Sequence, residues 1–380
     1  MPPSPAPARL LWDRGGLWAL MTLEAAWQRG LALRPISAAQ IVAGGLESAR
    51  MLVVPGGWST HKKKALGRAG GAAIAEFIKQ GGVYLGFCGG AGLALSVPDG
   101  LGLIPLGRAS GAQRLPGLSG PVMVRPARGA GEHALWRQMP SPARLLVWWP
   151  GQFDEPQDPS IQVIARYQGP TGELRLAERE QDPSPLWGQP AVVQARLGRG
   201  RLFLSYLHLD TPGDQSGGRA LERLWAAWLG GKAPARPPTP PSAPQPRVAA
   251  LADRCAALWE QGRALGLWRA RHPAMPLWQR GARGLEFWKM RRLAEAAAAW
   301  CQDEDSAAEL ETALAPVLAS GGRVLEAQAA RLAGKEPGAV SAEIEASWFP
   351  RPRRSGGDWA LAMEKLAQTL FAALIQACRD

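Results

Sequence analysis

The chain has 380 residues, 46% of them hydrophobic, so it is long enough for two or three packed domains. Its net charge of +12 rests mainly on arginines in a chain that is also rich in alanine, glycine and proline. We interpret this charge as a compositional bias and expect no nucleic-acid partner. The N-terminus lacks a signal-peptide pattern and no run of about 18 apolar residues occurs, so neither export nor a membrane partner is expected.

The four cysteines are far apart and form no C-x-x-C pair. They are Cys88, Cys255, Cys301 and Cys378. No cysteine or histidine spacing fits a zinc site. We therefore expect no disulfide, no metal and no cofactor, and a cytoplasmic protein in a reducing compartment.

Strand and helix signals alternate over the first part of the chain. In chain order we predict a strand at 8–13, a turn at 14–16, a helix at 17–29, strands near 31–36 and 50–54, a helix at about 70–80 and a strand at 83–87. Continuous apolar strands separated by helices are typical of a parallel sheet covered on both faces. The pattern therefore predicts an α/β domain with right-handed crossovers.

From about residue 100 the pattern changes to short strands with turns between them. We predict strands near 121–125, 145–149, 161–167, 191–197 and 201–206, and a closing helix at 217–229. We interpret Gly198-Arg199-Gly200-Arg201 as the hairpin turn between the last two strands. This first domain is expected to span residues 1–232.

A proline-rich segment, 233–247, cannot continue a helix or a central strand and is predicted to be an extended linker. The following part, 248–380, is predicted to be all helical. Its expected helices are 248–270, 285–302, 306–332, 340–347 and 358–378. It holds seven tryptophans, at 259, 268, 278, 288, 300, 348 and 359. Their helical spacing favours a core, and a face that binds a protein partner is the alternative.

The sequence Gly86-Phe87-Cys88-Gly89-Gly90 fits the thiol version of a nucleophile elbow at the end of a predicted strand. A sharp strand-to-helix turn needs neighbours with almost no side chain, and Gly86, Gly89 and Gly90 meet that need. The start of the next helix would lower the pKa of the Cys88 thiol and offer an amide to an oxyanion.

A nucleophilic thiol needs a base, and His208 follows a predicted strand with Asp210 two residues later. An acid at that spacing can orient the imidazole, so we predict a Cys88–His208–Asp210 arrangement. His61 is a weaker candidate in a loop after the third strand, and His272 is expected to be structural.

Pro55-Gly56-Gly57 ends the third strand at the sheet edge where open α/β sheets place their ligands. The Gly57 amide is the candidate for a second oxyanion donor, and an ordinary turn is the alternative interpretation. The nearby run Lys62-Lys63-Lys64 is interpreted as a solvated loop.

Several segments together resemble a known family. They are PGG at 55–57, GGVYLGFCGGA at 81–91, Gly120-Pro121, VWWPGQF at 147–153 and GRGRLFLSYLHLD at 198–210. They are similar to the class I glutamine amidotransferase-like superfamily, and more closely to the N-terminal domain of eukaryotic-type biotin–protein ligases and its stand-alone bacterial relatives. The resemblance covers about 8–230 and implies a flavodoxin-like, doubly wound, mostly parallel sheet.

The resemblance also implies roles for individual residues. The nucleophile, histidine and acid fall on Cys88, His208 and Asp210, and the oxyanion amides fall on Gly57 and Gly89. Two departures stand out: the superfamily usually has His-Pro-Glu where this chain has His208-Leu209-Asp210, and the related domains usually carry Asp and Tyr soon after PGG. No biotin-ligase catalytic domain is recognised in the chain.

Two hypotheses from different classes follow. The first is a cysteine-dependent amidohydrolase or amidotransferase, a C–N hydrolase that acts on a small-molecule carboxamide such as glutamine. The second is a catalytically silent binding or regulatory module of the biotin–protein ligase N-terminal type, in which the helical part docks a protein partner. The labelling rate of Cys88 by an alkylating agent distinguishes them.

Overall fold

The structure is a computed structural model that describes residues 8–109, 118–176, 182–230, 238–269, 276–278, 282–350 and 357–378. The chain forms two compact units, Met1–Pro237 and Pro238–Asp380. The boundary between them falls inside the proline-rich segment. Residues 231–237, which include the first part of that segment, lie outside the described residues.

The first unit is built from strands with helices between the early ones. Its strands are β1 (Ala8–Leu11), β2 (Leu33–Ile36), β3 (Met51–Val54), β4 (Val83–Phe87), β5 (Leu118–Pro126), β6 (Ala143–Trp148), β7 (Gln162–Pro170), β8 (Arg175–Leu176), β9 (Pro190–Leu197) and β10 (Gly200–Ser205). Its helices are α1 (Leu17–Trp27), α2 (Ala38–Val42), α3 (Ser59–Lys79), α4 (Gly89–Ala94) and α5 (Gln215–Leu229).

The described strands of this unit form one mixed sheet in the order β2-β1-β3-β4-β10-β9-β7-β5-β6, with β8 beside β5. The pairings from β2 to β10 are parallel, and those from β10 to β6 are antiparallel. Strands β3 and β4 are buried along their whole length, which explains their continuous apolar sequences. The predicted α/β fold with a parallel core is therefore confirmed, and the later strands extend that core as an antiparallel half.

Helix α3 is longer than the predicted helix at about 70–80, because it begins at Ser59 and passes a non-helical Gly67. One face of it is buried at every third or fourth residue. The buried positions are Ser59, Lys62, Leu66, Gly70, Ile74 and Ile78. Burial of this stripe outweighs the poor helix propensity of the glycines. The interpretation of Lys62-Lys63-Lys64 as a solvated loop is wrong, because all three lie in this helix and the Lys62 side chain is fully buried.

Helix α2 was not predicted. Ser37 caps it by accepting a hydrogen bond from the Gln40 amide, and the Gln40 side chain accepts one from the Ser37 amide. This capping box is visible as Ser-x-x-Gln in the sequence, but the helix spans only five residues, too few to show an apolar period.

The second unit is mainly helical. Its helices are α6 (Pro246–Ala264), α7 (Gly284–Trp300), α8 (Glu304–Leu332), α9 (Ala339–Trp348) and α10 (Asp358–Ala377). The prediction that it holds no strand is wrong at one point, where β11 (Trp268–Arg269) pairs antiparallel with β12 (Leu277–Trp278). No helix among the described residues is both long enough and apolar enough to cross a membrane.

Tryptophan rings fill the interior of the second unit. The Trp259 ring lies 5.0 Å from the Trp268 ring and 4.9 Å from the Trp288 ring, measured between centroids. Trp259, Trp268 and Trp348 are buried. Gly262 leaves room for this packing, since a Cβ there would lie 2.0 Å from the Trp268 ring. The side chain of Trp278 lies outside the described residues.

Candidate functional site

Three neighbouring parallel strands, β3, β4 and β10, bring the predicted site residues to one edge of the sheet. Val54 pairs with Gly86, and Phe87 pairs with Ser205, so the three strands end nearly level. The residues that follow them therefore meet at the carboxyl edge: Pro55-Gly56-Gly57, Cys88 and His208. This is the edge where open α/β sheets bind their ligands.

Cys88 lies in the turn between β4 and α4 with φ 49° and ψ −111°, a left-handed conformation that non-glycine residues rarely adopt. Its amide donates to the Ser205 carbonyl at 2.7 Å, which ties the turn to β10. Added Cβ atoms would lie 1.5 Å from the Gly57 oxygen at Gly89 and 2.0 Å from the Val54 oxygen at Gly90. The turn therefore requires glycine at both positions.

Gly86, two residues before Cys88, also has too little room for a side chain. A Cβ there would lie 2.8 Å from both the Gly90 oxygen and the Tyr84 ring. The Tyr84 hydroxyl donates to the Gly90 carbonyl at 2.7 Å, and burial raises the Tyr84 pKa. The buried Tyr84 side chain thus supports the turn. Gly86, Cys88, Gly89 and Gly90 lie together in it.

His208 and Asp210 form a buried pair. The His208 Nδ1 lies 2.9 Å from the Asp210 Oδ1, and the two side chains are 1% and 2% exposed. The His208 amide donates to the Leu146 carbonyl at 2.8 Å, which holds the backbone against β6. The shorter carboxylate, Asp in place of Glu, therefore reaches the imidazole.

Burial alone would lower the pKa of His208, but its neighbours reverse the effect. The charge and hydrogen bond of Asp210, followed by the proximity of Cys88, raise the pKa from 6.5 to about 10. The other ring nitrogen, Nε2, is buried and has no hydrogen-bond partner among the described residues.

Helix α1 supplies two supporting residues that the sequence did not reveal. The Thr22 hydroxyl donates to the Asp210 Oδ2 at 2.6 Å, so both carboxylate oxygens have partners. The Trp18 ring lies 5.2 Å from the His208 ring at an angle of 31°. These contacts span almost the whole first unit in sequence, and no local pattern indicates them.

The Pro55-Gly56-Gly57 turn lies against the elbow, because a Cβ at Gly89 would also come within 3.4 Å of the Gly57 nitrogen. Gly57 has φ +95°, which favours glycine. Gly89 is the first residue of α4, and the first amides of a helix have no acceptor within it. The two predicted oxyanion donors thus belong to adjoining pieces of backbone.

Aromatic residues surround the half-buried thiol. The Cys88 Sγ lies 3.9 Å from the Trp148 carbonyl oxygen. Burial, then the charges of Tyr206 and Cys88, raise the pKa of Tyr167 well above its usual value. Trp149, the residue after Trp148, has φ 50°. Its ring packs edge-on against the Trp18 ring, with 6.2 Å between the two centroids.

The structure describes two of the other three histidines. His61 is exposed in the first turn of α3 rather than in a loop, and His133 pairs with Gln194 at 3.0 Å. His272 lies outside the described residues. Within the described ranges, no three His, Cys, Asp or Glu side chains are grouped as a metal site would need.

Comparisons with known proteins extend this picture. Residues 18–96 match the family described as biotin-protein ligase, N terminal. No curated protein matches the chain significantly. A candidate GMP synthase subunit from Thermoplasma acidophilum is 13% identical, with a TM-score of 0.41, over 58% of this chain and 94% of that one.

Two other solved structures are similar at the same low level. A ThuA-like protein from Bacteroides uniformis is 13% identical, with a TM-score of 0.36, over 60% of this chain and 91% of its own. A β-galactosidase from Rahnella sp. R3 is 15% identical, with a TM-score of 0.39, over 63% of this chain and 33% of its own. The resemblance to the biotin–protein ligase N-terminal domain that the sequence indicated is confirmed over residues 18–96.

Proposed function

We propose that the first unit is a cysteine-dependent amidohydrolase that acts on a small-molecule carboxamide. Cys88 is the nucleophile, His208 is the base and Asp210 orients the imidazole. The amides of Gly57 and Gly89 hold the oxyanion. L-Glutamine is the first substrate to test, because the superfamily that the sequence resembles uses it.

The reaction proceeds in two balanced stages. In the proposed pair, His208 holds the Cys88 proton on Nε2 before the attack, because its pKa is raised to about 10. The sulfur then bonds to the carboxamide carbon, and the carbonyl electron pair moves to the oxygen. The collapse of this intermediate returns the proton to the departing nitrogen, so ammonia leaves and a thioester remains. Water activated by His208 then attacks the thioester, which releases the carboxylic acid and restores the thiol.

One observation carries the proposal: a buried imidazole keeps Nε2 without a hydrogen-bond partner in the described part of the chain, while Asp210 holds Nδ1 and a cysteine on a strained turn lies within electrostatic reach. An unsatisfied buried polar atom is costly, and such costs are concentrated at functional sites. Asp210 sets the proton on Nδ1 and so leaves Nε2 for the thiol.

Ammonia release from L-glutamine and a panel of other primary amides tests the proposal. Wild type should release ammonia, and Cys88→Ala and His208→Ala should each reduce the rate by at least about 10³-fold. Cys255→Ala is the matched control, since that thiol is buried in the helical unit and burial raises its pKa to about 12. Equal rates in wild type and Cys88→Ala would exclude the hydrolase.

The second candidate is a binding module that retains the fold without turnover. The observation that favours it is that the Cys88 Sγ lies 3.9 Å from the Trp148 carbonyl oxygen, while His208 Nε2 has no hydrogen-bond partner among the described residues. In that case the site holds a small amide, and the helical unit docks a protein partner. Calorimetric binding of an amide without ammonia release would favour this alternative.

The proposed nucleophile must be a reduced thiol, so we also propose a cytoplasmic location. Cys88, Cys255 and Cys301 are free thiols in the structure, which is compatible with a reducing compartment. Mass spectrometry of alkylated protein taken directly from cells tests this, and an oxidised Cys88 in that sample would contradict it.

A further inference from the structure

Lys62 is a fully buried lysine beside the Gly56-Gly57 turn. It lies in the first part of α3, and its Nζ donates to the Gly56 carbonyl at 2.5 Å. A Cβ placed on Gly57 would lie 3.1 Å from this Nζ and 3.2 Å from the Trp18 ring. Removing an ammonium from water is costly unless hydrogen bonds compensate, so this position is a demanding one for a lysine.

The Gly56 carbonyl and the Gly57 N–H belong to the same peptide unit. In a planar trans peptide these two groups point in opposite directions. Glycine on both sides removes the Cβ clashes that normally restrict rotation of such a unit. A donor that holds the Gly56 oxygen on one side therefore determines where the Gly57 N–H points on the other.

The backbone around Gly57 agrees with this arrangement. The Gly57 nitrogen lies on the side of Gly89, 3.4 Å from the position of a Cβ on that residue. A cation on the carbonyl oxygen also polarises the peptide and makes the N–H a stronger donor. Both effects act on the amide assigned to the oxyanion.

We infer that Lys62 is a positioning residue that orients and polarises the Gly57 amide for a developing oxyanion. The inference rests on the proposed function, because that function assigns the oxyanion to this amide. If Lys62 only anchored α3, its removal would affect stability. It would leave the ratio between the rates of acylation and alkylation of Cys88 unchanged.

The first test is a crystal structure of Lys62→Met, in which a side chain of similar length lacks the charge and the donor. Lys62→Leu, which also lacks the charge and the donor, replaces it if the Met variant does not fold. The expected result is a rotated Gly56–Gly57 peptide, or two orientations of it. A single orientation identical to that of wild type overturns the inference, whether or not Cys88 reacts.

The second test compares two reactions of Cys88 in the full chain. Acylation by p-nitrophenyl acetate passes through a tetrahedral oxyanion, whereas alkylation by iodoacetamide is a direct displacement that forms none. The rates of Cys88→Ala are subtracted as background. The matched control is Lys63→Met, since Lys63 is the neighbouring lysine and donates to the Pro98 carbonyl at 2.9 Å.

Lys62→Met should slow acylation by about 10-fold or more while alkylation changes less than about 2-fold, since complete loss of an oxyanion donor costs about 10²–10³-fold. Lys63→Met should change neither rate. A rotated peptide with an unchanged ratio of the two rates overturns the inference. If wild-type Cys88 is not acylated, the proposed function fails, and the peptide orientation in the variant then decides the inference alone.

Discussion

The buried His208–Asp210 pair predicts a dependence of stability on pH that Asp210→Asn should remove. Asparagine has nearly the same shape, so its Oδ1 can still accept from His208 Nδ1. The Thr22 hydroxyl can turn to the Trp18 carbonyl, 2.9 Å away. The substitution therefore removes a charge and little else. Burial then dominates, and the pKa of His208 falls.

The size of the effect follows from the shift of the His208 pKa. The folded-state pKa of about 10 lies above the ordinary 6.5, so the contribution to stability is complete below pH 6.5 and is lost as the pH rises through about 10. At 1.36 kcal/mol per pKa unit, the pair contributes at most about 5 kcal/mol. Of this, about 2 kcal/mol is lost between pH 6.5 and about pH 8.5.

Urea unfolding of wild type and Asp210→Asn at pH 6.5 and about pH 8.5 measures the effect. The free energy of unfolding of wild type should fall by about 2 kcal/mol more than that of the variant over this range. The same pair of proteins in a Cys88→Ala background isolates the share that comes from the thiol. Parallel pH profiles for wild type and Asp210→Asn would refute the assignment of a charged, coupled pair.

Three further substitutions test the packing. Gly89→Ala places a Cβ 1.5 Å from the Gly57 oxygen and should cost more than about 3 kcal/mol in thermal unfolding. Gly131→Ala is the control and should be tolerated, because a Cβ there has nothing within 4 Å. Similar losses in the two variants would contradict the elbow geometry. Thr22→Val leaves the Asp210 Oδ2 without its donor and should cost about 1–3 kcal/mol in urea unfolding, and an unchanged midpoint would contradict that hydrogen bond. Gly262→Ala clashes with Trp268 and should destabilise the helical unit by about 1–3 kcal/mol. Gly322→Ala on α8 is the control and should be neutral or stabilising. Equal effects of the two substitutions would count against the tryptophan core.

Local patterns in the sequence were enough to predict the strands around the site. The run VYLGF, which lies between the glycine pairs 81–82 and 89–90, becomes β4, and the segment 198–201 contains the turn between β9 and β10. Glycine spacing around Cys88 indicated the elbow because only glycine fits that turn. These features depend on neighbours in sequence, and a single sequence contains them.

The position of β10 beside β4 could not be predicted from local patterns, since it depends on pairing between residues more than a hundred positions apart. The same applies to Thr22, whose hydroxyl meets Asp210 across 188 positions. Lys62 carried a weak signal: the stripe Ile78, Ile74, Gly70 and Leu66 continues at the same spacing to residue 62. The charge of the residue concealed it, because lysines are almost never fully buried.

The most direct measurement of the central claim is the rate of iodoacetamide labelling at Cys88 near neutral pH, followed by mass spectrometry in wild type and His208→Ala. A thiolate stabilised by the adjacent imidazolium should be labelled well above the rate of a free thiol, and His208→Ala should slow it by about 10-fold or more. Labelling of wild type no faster than a free thiol, unchanged in His208→Ala, would contradict the thiolate–imidazole pair.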